Sequence, residues 1–209
     1  MGQADCAGVI LAGGRSQRMG GKTKALIELA GKPMLQHVID RVEPQVSGLL
    51  LSLESAQDDY AAFGLQQVPD PAPGHGGPLG GLLAAMQEMA GGAQSWLLLA
   101  PCDAPFLPLD LARRLQERAA TAGTPGAVVR LEGEVQPTFS VWHRSLLPVL
   151  QRAVNQQRMA GFKQFLDQAP LALLDWPVSE GWRFFNINDE AALQRAQRMM
   201  QQEGETCSA

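Results

Sequence analysis

The stretch VILAGGRSQRMGGKTKAL, Val9 to Leu26, constrains what this chain can fold into more than any other. It opens with Val9-Ile10-Leu11, an apolar run rich in β-branching that suits a strand buried on both faces. Gly13-Gly14 ends the run, and glycine there permits positive φ and a close approach of backbone to ligand. Four cations follow within ten residues, Arg15, Arg18, Lys22 and Lys24, and no apolar period between them would bury a face. A glycine-rich basic loop leaving the carboxyl end of a first buried strand is where open α/β sheets hold anionic ligands. An α/β fold with an anion site at that strand end is therefore expected.

Gly21-Lys22-Thr23 has the look of a P-loop terminus, but the spacing excludes it. A P-loop needs glycine five residues before the Gly of its Gly-Lys-Thr, and that position is Ser16. Gly13-Gly14 lies too far upstream for its amides to converge on the same phosphate.

The remaining pattern alternates strands with helices. GKPMLQHVIDRV has Gly31 and Pro33 as start signals and sets Met34, Leu35, Val38, Ile39 and Val42 on one helical face. A strand is predicted from Gly48 to about Ser52, a short helix over 57–63, and a third strand ending at Asp70. A Gly/Pro loop then feeds a helix with its interior at Leu82 to Met89. Trp96 to Ala100 are all apolar, as a central strand requires, and a helix from about Leu109 to Ala120 returns the chain. Two strands around a turn near Glu132-Gly133 follow, then helices near 144–156 and 160–168, a strand at 171–175, and a last helix from about Asp189 to Gln201. The polar tail over 202–209 is expected to fray. The alternation predicts a three-layer α/β/α, doubly wound, mostly parallel sheet.

Composition closes off several function classes. With 209 residues, 45% hydrophobic and 18% charged, the chain reads as one ordered domain over 1–209 with a sizeable core. A net charge of −4 argues against nucleic acid as partner, because that binding needs a basic face to displace counterions. Cys6, Cys102 and Cys207 form no CxxC pair, so reduced thiols in the cytoplasm are expected rather than disulfides or zinc. No apolar run approaches the roughly 20 residues of a membrane span, and no membrane partner is expected.

The candidate chemistry lies at strand ends. Asp103 follows the strand at 96–100, on the same edge as the basic loop. A carboxylate beside a polyphosphate site is how magnesium is held, with phosphate oxygens filling the rest of its octahedron. Asp70 ends another strand and can approach the same crevice. No serine or cysteine nucleophile paired with a base can be read from the spacing, and His37, His75 and His143 are assigned no role.

Together these segments carry a resemblance. LAGGRSQRMGGKTKAL at 11–26, GKPML at 31–35, GGPLGGL at 76–82, PCDAPFLP at 101–108, QPTFSV at 136–141 and FNINDEAAL at 185–193 resemble, in order and spacing, the molybdenum cofactor guanylyltransferase (MobA) family of nucleotidyltransferases. The resemblance spans about residues 7–200 and implies a Rossmann-like nucleotidyltransferase fold, with a nucleotide-binding half over about 7–107 and a pterin-substrate half over about 108–200. It implies transfer of GMP from GTP to the terminal phosphate of molybdopterin, with Mg2+ as cofactor and pyrophosphate as leaving group. Leu11, Ala12, Gly13 and Gly14 match the segment that holds the guanine nucleotide, and Lys24 matches the lysine on its phosphates, with Arg18 assisting. Ser52 and Asp70 fall at the base and ribose positions, and Asp103 at the magnesium ligand. Arg158, Asn186 and Asn188 fall in stretches associated with the pterin substrate. Molybdenum-insertion proteins and acceptor molybdoenzymes or their chaperones are the implied partners.

Two departures stand out. The family usually carries Asp-Lys where this chain has Thr23-Lys24, and often Asn where it has Ser52, whose hydroxyl lacks the paired donor and acceptor of an amide. The alternatives are a CTP-dependent cytidylyltransferase for the same pterin, a sugar-phosphate nucleotidyltransferase, and a non-catalytic carrier of nucleotide or cofactor.

Overall fold

The computed structural model describes residues 5–13, 23–71, 77–169 and 171–206, the side chains of 203–206 excepted. Its strands are β1 (Cys6–Leu11), β2 (Glu28–Leu29), β3 (Lys32–Pro33), β4 (Leu49–Leu53), β5 (Gln66–Pro69), β6 (Trp96–Pro101), β7 (Gly126–Leu131), β8 (Glu134–His143) and β9 (Ala172–Asp175). Its helices are α1 (Met34–Val42), α2 (Gly77–Met89), α3 (Leu111–Ala122), α4 (Leu147–Asn155), α5 (Phe162–Leu166) and α6 (Glu190–Thr206). Seven strands form the central sheet in the order β5-β4-β1-β6-β8-β7-β9, and β2 and β3 make a separate small hairpin. All neighbours pair in parallel except β8, which runs against both β6 and β7.

Period-two alternation of apolar side chains on the central strands builds two cores. Cys6 and Ile10 of β1, with Leu98 and Ala100 of β6, pack against α1 and α3. Ala7 and Val9, with Leu97 and Leu99, face α2, α4 and α5 on the other side. Both faces of β1 and β6 are thus covered, which is why these strands read as unbroken apolar runs. A third cluster, in which Leu29 and Met34 meet Phe106, Ile187, Leu193 and Ala196, joins α6 to the rest. The expected three-layer, doubly wound, mostly parallel architecture is the one observed.

Local differences have local causes. The five residues expected on the α1 face are its buried residues, yet the helix starts at Met34 with Pro33 as its N-cap. Gly31 is not a helix start: with Ala30 (φ 49°) and Gly31 (φ 81°) both left-handed, the pair turns the β2–β3 hairpin, a geometry that favours glycine. Residues 58–63 coil as a 3-10 helix that Gly64 (φ 67°) ends. The final helix continues to Thr206, past the expected frayed start at 202; no proline interrupts its hydrogen-bond ladder.

Candidate functional site

The parallel strands bring the ends of β5, β4, β1 and β6 to one edge, and the reversed β8 brings its beginning there. The chain leaves β1 for β4 and β5 on one side and returns to β6 on the other, so the crevice between the two runs is the switch point at which such sheets bind ligands. A cavity of about 660 Å³ opens at that edge.

Backbone hydrogen bonds lock the strand ends together. The Ala12 N–H donates to Ser52 O at 2.8 Å, Cys102 N–H to Leu11 O at 3.1 Å, and Asp70 N–H to Leu53 O at 2.8 Å. Leu11, Ala12, Gly13, Ser52 and Asp70 line the cavity. The expected reason for Gly13 needs correction. Its φ is not left-handed, and a Cβ there would lie 3.0 Å from Glu54 N, so the close approach it permits is to the end of β4. Gly14 and Arg18 lie outside the described residues.

On the far wall, the first turns of α2 press against the same strand ends. A Cβ on Gly80 would overlap the Asp70 carboxylate, and one on Gly81 would overlap Ser52 Oγ and Leu11. Gly80 and Gly81 of GGPLGGL are therefore fixed by close approach to three cavity side chains, Asp70, Ser52 and Leu11.

Lys24 is the pivot. Thr23 is extended, and the chain then tightens into one 3-10 turn over Lys24–Leu26 whose Ala25 is buried. The Lys24 ammonium donates to Asp103 Oδ2 and, at 2.6 Å, to Asn188 Oδ1. The Lys24 and Asp103 side chains keep only 15% and 16% of their surface exposed, so their attraction is screened less than that of surface pairs. The loop carrying Asp103 is itself anchored, because the Ile187 N–H donates to Asp103 O at 2.9 Å while the Ile187 side chain is fully buried. Asn186 Oδ1 is buried and accepts no hydrogen bond among the described residues. Arg158 sits exposed in a left-handed turn (φ 53°) between α4 and α5 and is not part of the cavity wall. Two residues on, Ala160 O accepts from Leu79 N–H of α2 at 3.3 Å, so the Arg158 loop borders the crevice without lining it.

The site holds no activated side-chain nucleophile among the described residues. Cys102 lines the cavity, but burial, reinforced by the Asp103 carboxylate, pushes its thiol up to about 12, leaving it protonated at neutral pH. No group of three or more His, Cys, Asp or Glu side chains gathers among the described residues, so a metal here would be held by Asp103 together with oxygens of its ligand.

Sequence reasoning missed Glu54 and Thr138, which also line the cavity. Glu54 was findable by the rule that flagged Asp103, an acidic residue just beyond an apolar strand. Thr138 carries no charge and no ligand spacing, and only its place on a reversed strand brings it here.

Residues 8–172 match the family described as the MobA-like NTP transferase domain. A molybdenum cofactor guanylyltransferase of Rhodopseudomonas palustris is 37% identical over 193 residues, which cover 91% of this chain and 92% of that protein. Among solved structures, molybdopterin-guanine dinucleotide biosynthesis protein A of Archaeoglobus fulgidus superposes with a TM-score of 0.76 at 21% identity, covering 94% of this chain and 99% of that one. A Mycobacterium tuberculosis protein solved in complex with manganese shares the fold at a TM-score of 0.62 and 19% identity, covering 93% of this chain and 98% of its own.

Proposed function

The chain belongs to the MobA-like NTP transferase family, and on that premise we infer that it transfers the guanylyl group of GTP to the terminal phosphate of molybdopterin, releasing pyrophosphate. The observation that carries this reading is Lys24 held at once by Asp103 and Asn188 at the switch point of the sheet.

The chemistry asks little covalent work of the protein. A phosphate monoester is already ionised at neutral pH. Its oxygen attacks the α-phosphorus, the bond from that phosphorus to the bridging oxygen of the β-phosphate breaks, and the electron pair leaves with pyrophosphate. No general base is required, in keeping with the protonated Cys102. What remains is positioning and charge neutralisation. In this reading the Leu11–Gly13 backbone runs along the nucleotide, Ser52 and Asp70 face its base and ribose, and the phosphates come to the Lys24 ammonium where Asp103 and Asn188 hold it. Arg18 and Gly14, outside the described residues, are assigned to the nucleotide by the family likeness alone, and Asn186, Asn188 and Arg158 are assigned to the pterin end. Asp103, a hard carboxylate oxygen donor facing the cavity, fits Mg2+ together with phosphate oxygens. When bound, that ion neutralises phosphate charge. The unpaired thiols of Cys6 and Cys102 suit a reducing cytoplasm. No helix among the described residues is long and apolar enough to cross a membrane. Molybdenum-insertion proteins and acceptor molybdoenzymes or their chaperones would be the partners upstream and downstream.

The test is pyrophosphate release by purified protein with molybdopterin and magnesium, comparing GTP, CTP, ATP and UTP. Release with GTP alone is the expected result. Preference for CTP would move the chain to cytidylyl transfer, and GTP binding without release would make it a carrier.

A further inference from the structure

Thr138 reaches the cavity through an irregularity in β8. Val128 of β7 pairs with Ser140 and the next residue, Val129, pairs with Gln136, which leaves Pro137, Thr138 and Phe139 without partners on β7. On the other side β8 pairs with β6 only from Ser140 onward, so the same three residues lie beside the carboxyl end of β6, next to Asp103. Bulges of this kind redirect side chains and are frequent beside active sites.

The bulge is rigidly built. Ser140 Oγ donates to Pro137 O at 2.6 Å and accepts from Trp142 Nε1 at 2.7 Å, and both side chains are fully buried. Phe139, also fully buried, meets Phe184 edge to face with centroids 5.0 Å apart. With Pro137 and Phe139 tied inward, the half-buried Thr138 is turned to the cavity. Apart from Asn188, which is bonded to Lys24, it is the one described cavity residue contributed by the chain beyond Asp103.

Strand order then fixes what Thr138 faces. Along the ligand edge stand Asp70 after β5, Ser52 at the end of β4, Gly13 after β1, Asp103 after β6 and Thr138 on β8. If the nucleotide lies over the first three and its phosphates reach Lys24 and Asp103, the next position along the row belongs to the group that attacks. Attacking and leaving oxygens lie roughly in line across the phosphorus. We propose that Thr138 is an acceptor-binding residue whose hydroxyl donates a hydrogen bond to the terminal phosphate of the molybdopterin acceptor, fixing the attacking oxygen opposite the departing pyrophosphate. This rests on the guanylyl-transfer reading.

Thr138→Val keeps the shape and removes the donor, and Thr138→Ser keeps the donor and removes the methyl. Acceptor affinity is measured by titrating molybdopterin into protein loaded with magnesium and a GTP analogue whose α–β bridge cannot be cleaved, alongside steady-state parameters for acceptor and GTP and a thermal melt to confirm folding. A lost hydrogen bond to a charged group predicts that Thr138→Val weakens acceptor binding by about tenfold or more. GTP affinity stays within about twofold, and Thr138→Ser recovers most of the loss. Unchanged acceptor binding in Thr138→Val, or an equal loss for GTP, overturns the proposal while leaving guanylyl transfer standing. If wild-type protein binds molybdopterin but releases no pyrophosphate from GTP, the transfer reading fails and the acceptor titration still decides the role of Thr138. Wild-type protein that binds no molybdopterin overturns both.

Discussion

Lys24 donates to two oxygens that come from distant parts of the chain, Asp103 and Asn188. That arrangement answers the departure at position 23. A loop carboxylate beside the lysine would orient it from the same turn. Here Thr23 makes no side-chain capping bond, and the orientation comes from across the crevice. The ammonium is therefore already placed before nucleotide arrives, which is how a preorganised charge stabilises a transition state most effectively. Lys24→Ala is expected to lower kcat/KM by about 100- to 1000-fold, on the scale of removing one preorganised donor. Asp103→Ala should abolish metal-dependent pyrophosphate release while circular dichroism stays native. A loss under about tenfold for Lys24→Ala, or wild-type rates in Asp103→Ala, would move the phosphate and metal roles to other side chains.

Among the elements, α2 shows how a helix can serve the site with its backbone. Its first turns carry no side chain at Gly80 and Gly81, and that absence lets the helix sit against Asp70 and Ser52. Gly81→Ala would drive a methyl into Ser52 Oγ and Leu11, and the helix must move to admit it. Overpacking of this kind costs about 1–3 kcal/mol, so a lower melting temperature together with weakened GTP binding is expected. A variant with native melting and native GTP affinity would show that the crevice yields freely.

This element also marks where the sequence could be read and where it could not. Apolar periodicity located α1 down to its five buried residues and β6 nearly to its ends, because burial on one or both faces leaves a repeating signature. It placed the interior of α2 but not its start, since Gly77 and Pro78 read as loop. The two-residue strands β2 and β3 are too short for any period. The insertion of reversed β8 between β6 and β7 leaves no trace in hydrophobicity, because direction does not alter alternation. Of the site, Asp103 was legible from its charge at a strand end, and Lys24 as one of four cations in the basic loop, from which only the family likeness singled it out. The Asn188 contact spans 164 residues, so only the family likeness pointed to it.

For the whole molecule, the buried ionisable groups set a limit at high pH. Burial, the dominant cause at each, pushes the thiols of Cys6 and Cys102 up to about 12, and the Tyr60 hydroxyl likewise to about 12. Each is raised in the folded state, so each keeps its proton there after the unfolded chain has lost it. Between the ordinary thiol value of 9.0 and about 12 the unfolded state binds fewer protons than the folded one, and stability falls as pH rises. Denaturant midpoints should therefore drop steadily above pH 9 and stay flat between pH 7 and 8.5, as far as these groups are concerned. Cys6→Ala should show a shallower alkaline decline than wild type, and an identical slope would remove Cys6 from the account.

The clip between Ile187 and Asp103 has a consequence for how the protein comes into being. The strands that hold Leu11, Ser52, Asp70 and Asp103 are all made in the first half of the chain. The amide that secures the Asp103 loop and the amide side chain that steadies Lys24 arrive only with residues 187 and 188. During synthesis every described strand is made before residues 187 and 188, so the crevice stays unfinished until the sheet is complete in sequence. A chain cut short before Ile187 would carry all nine described strands and none of the clip, so truncated products would be expected to hold nucleotide more weakly than the finished protein.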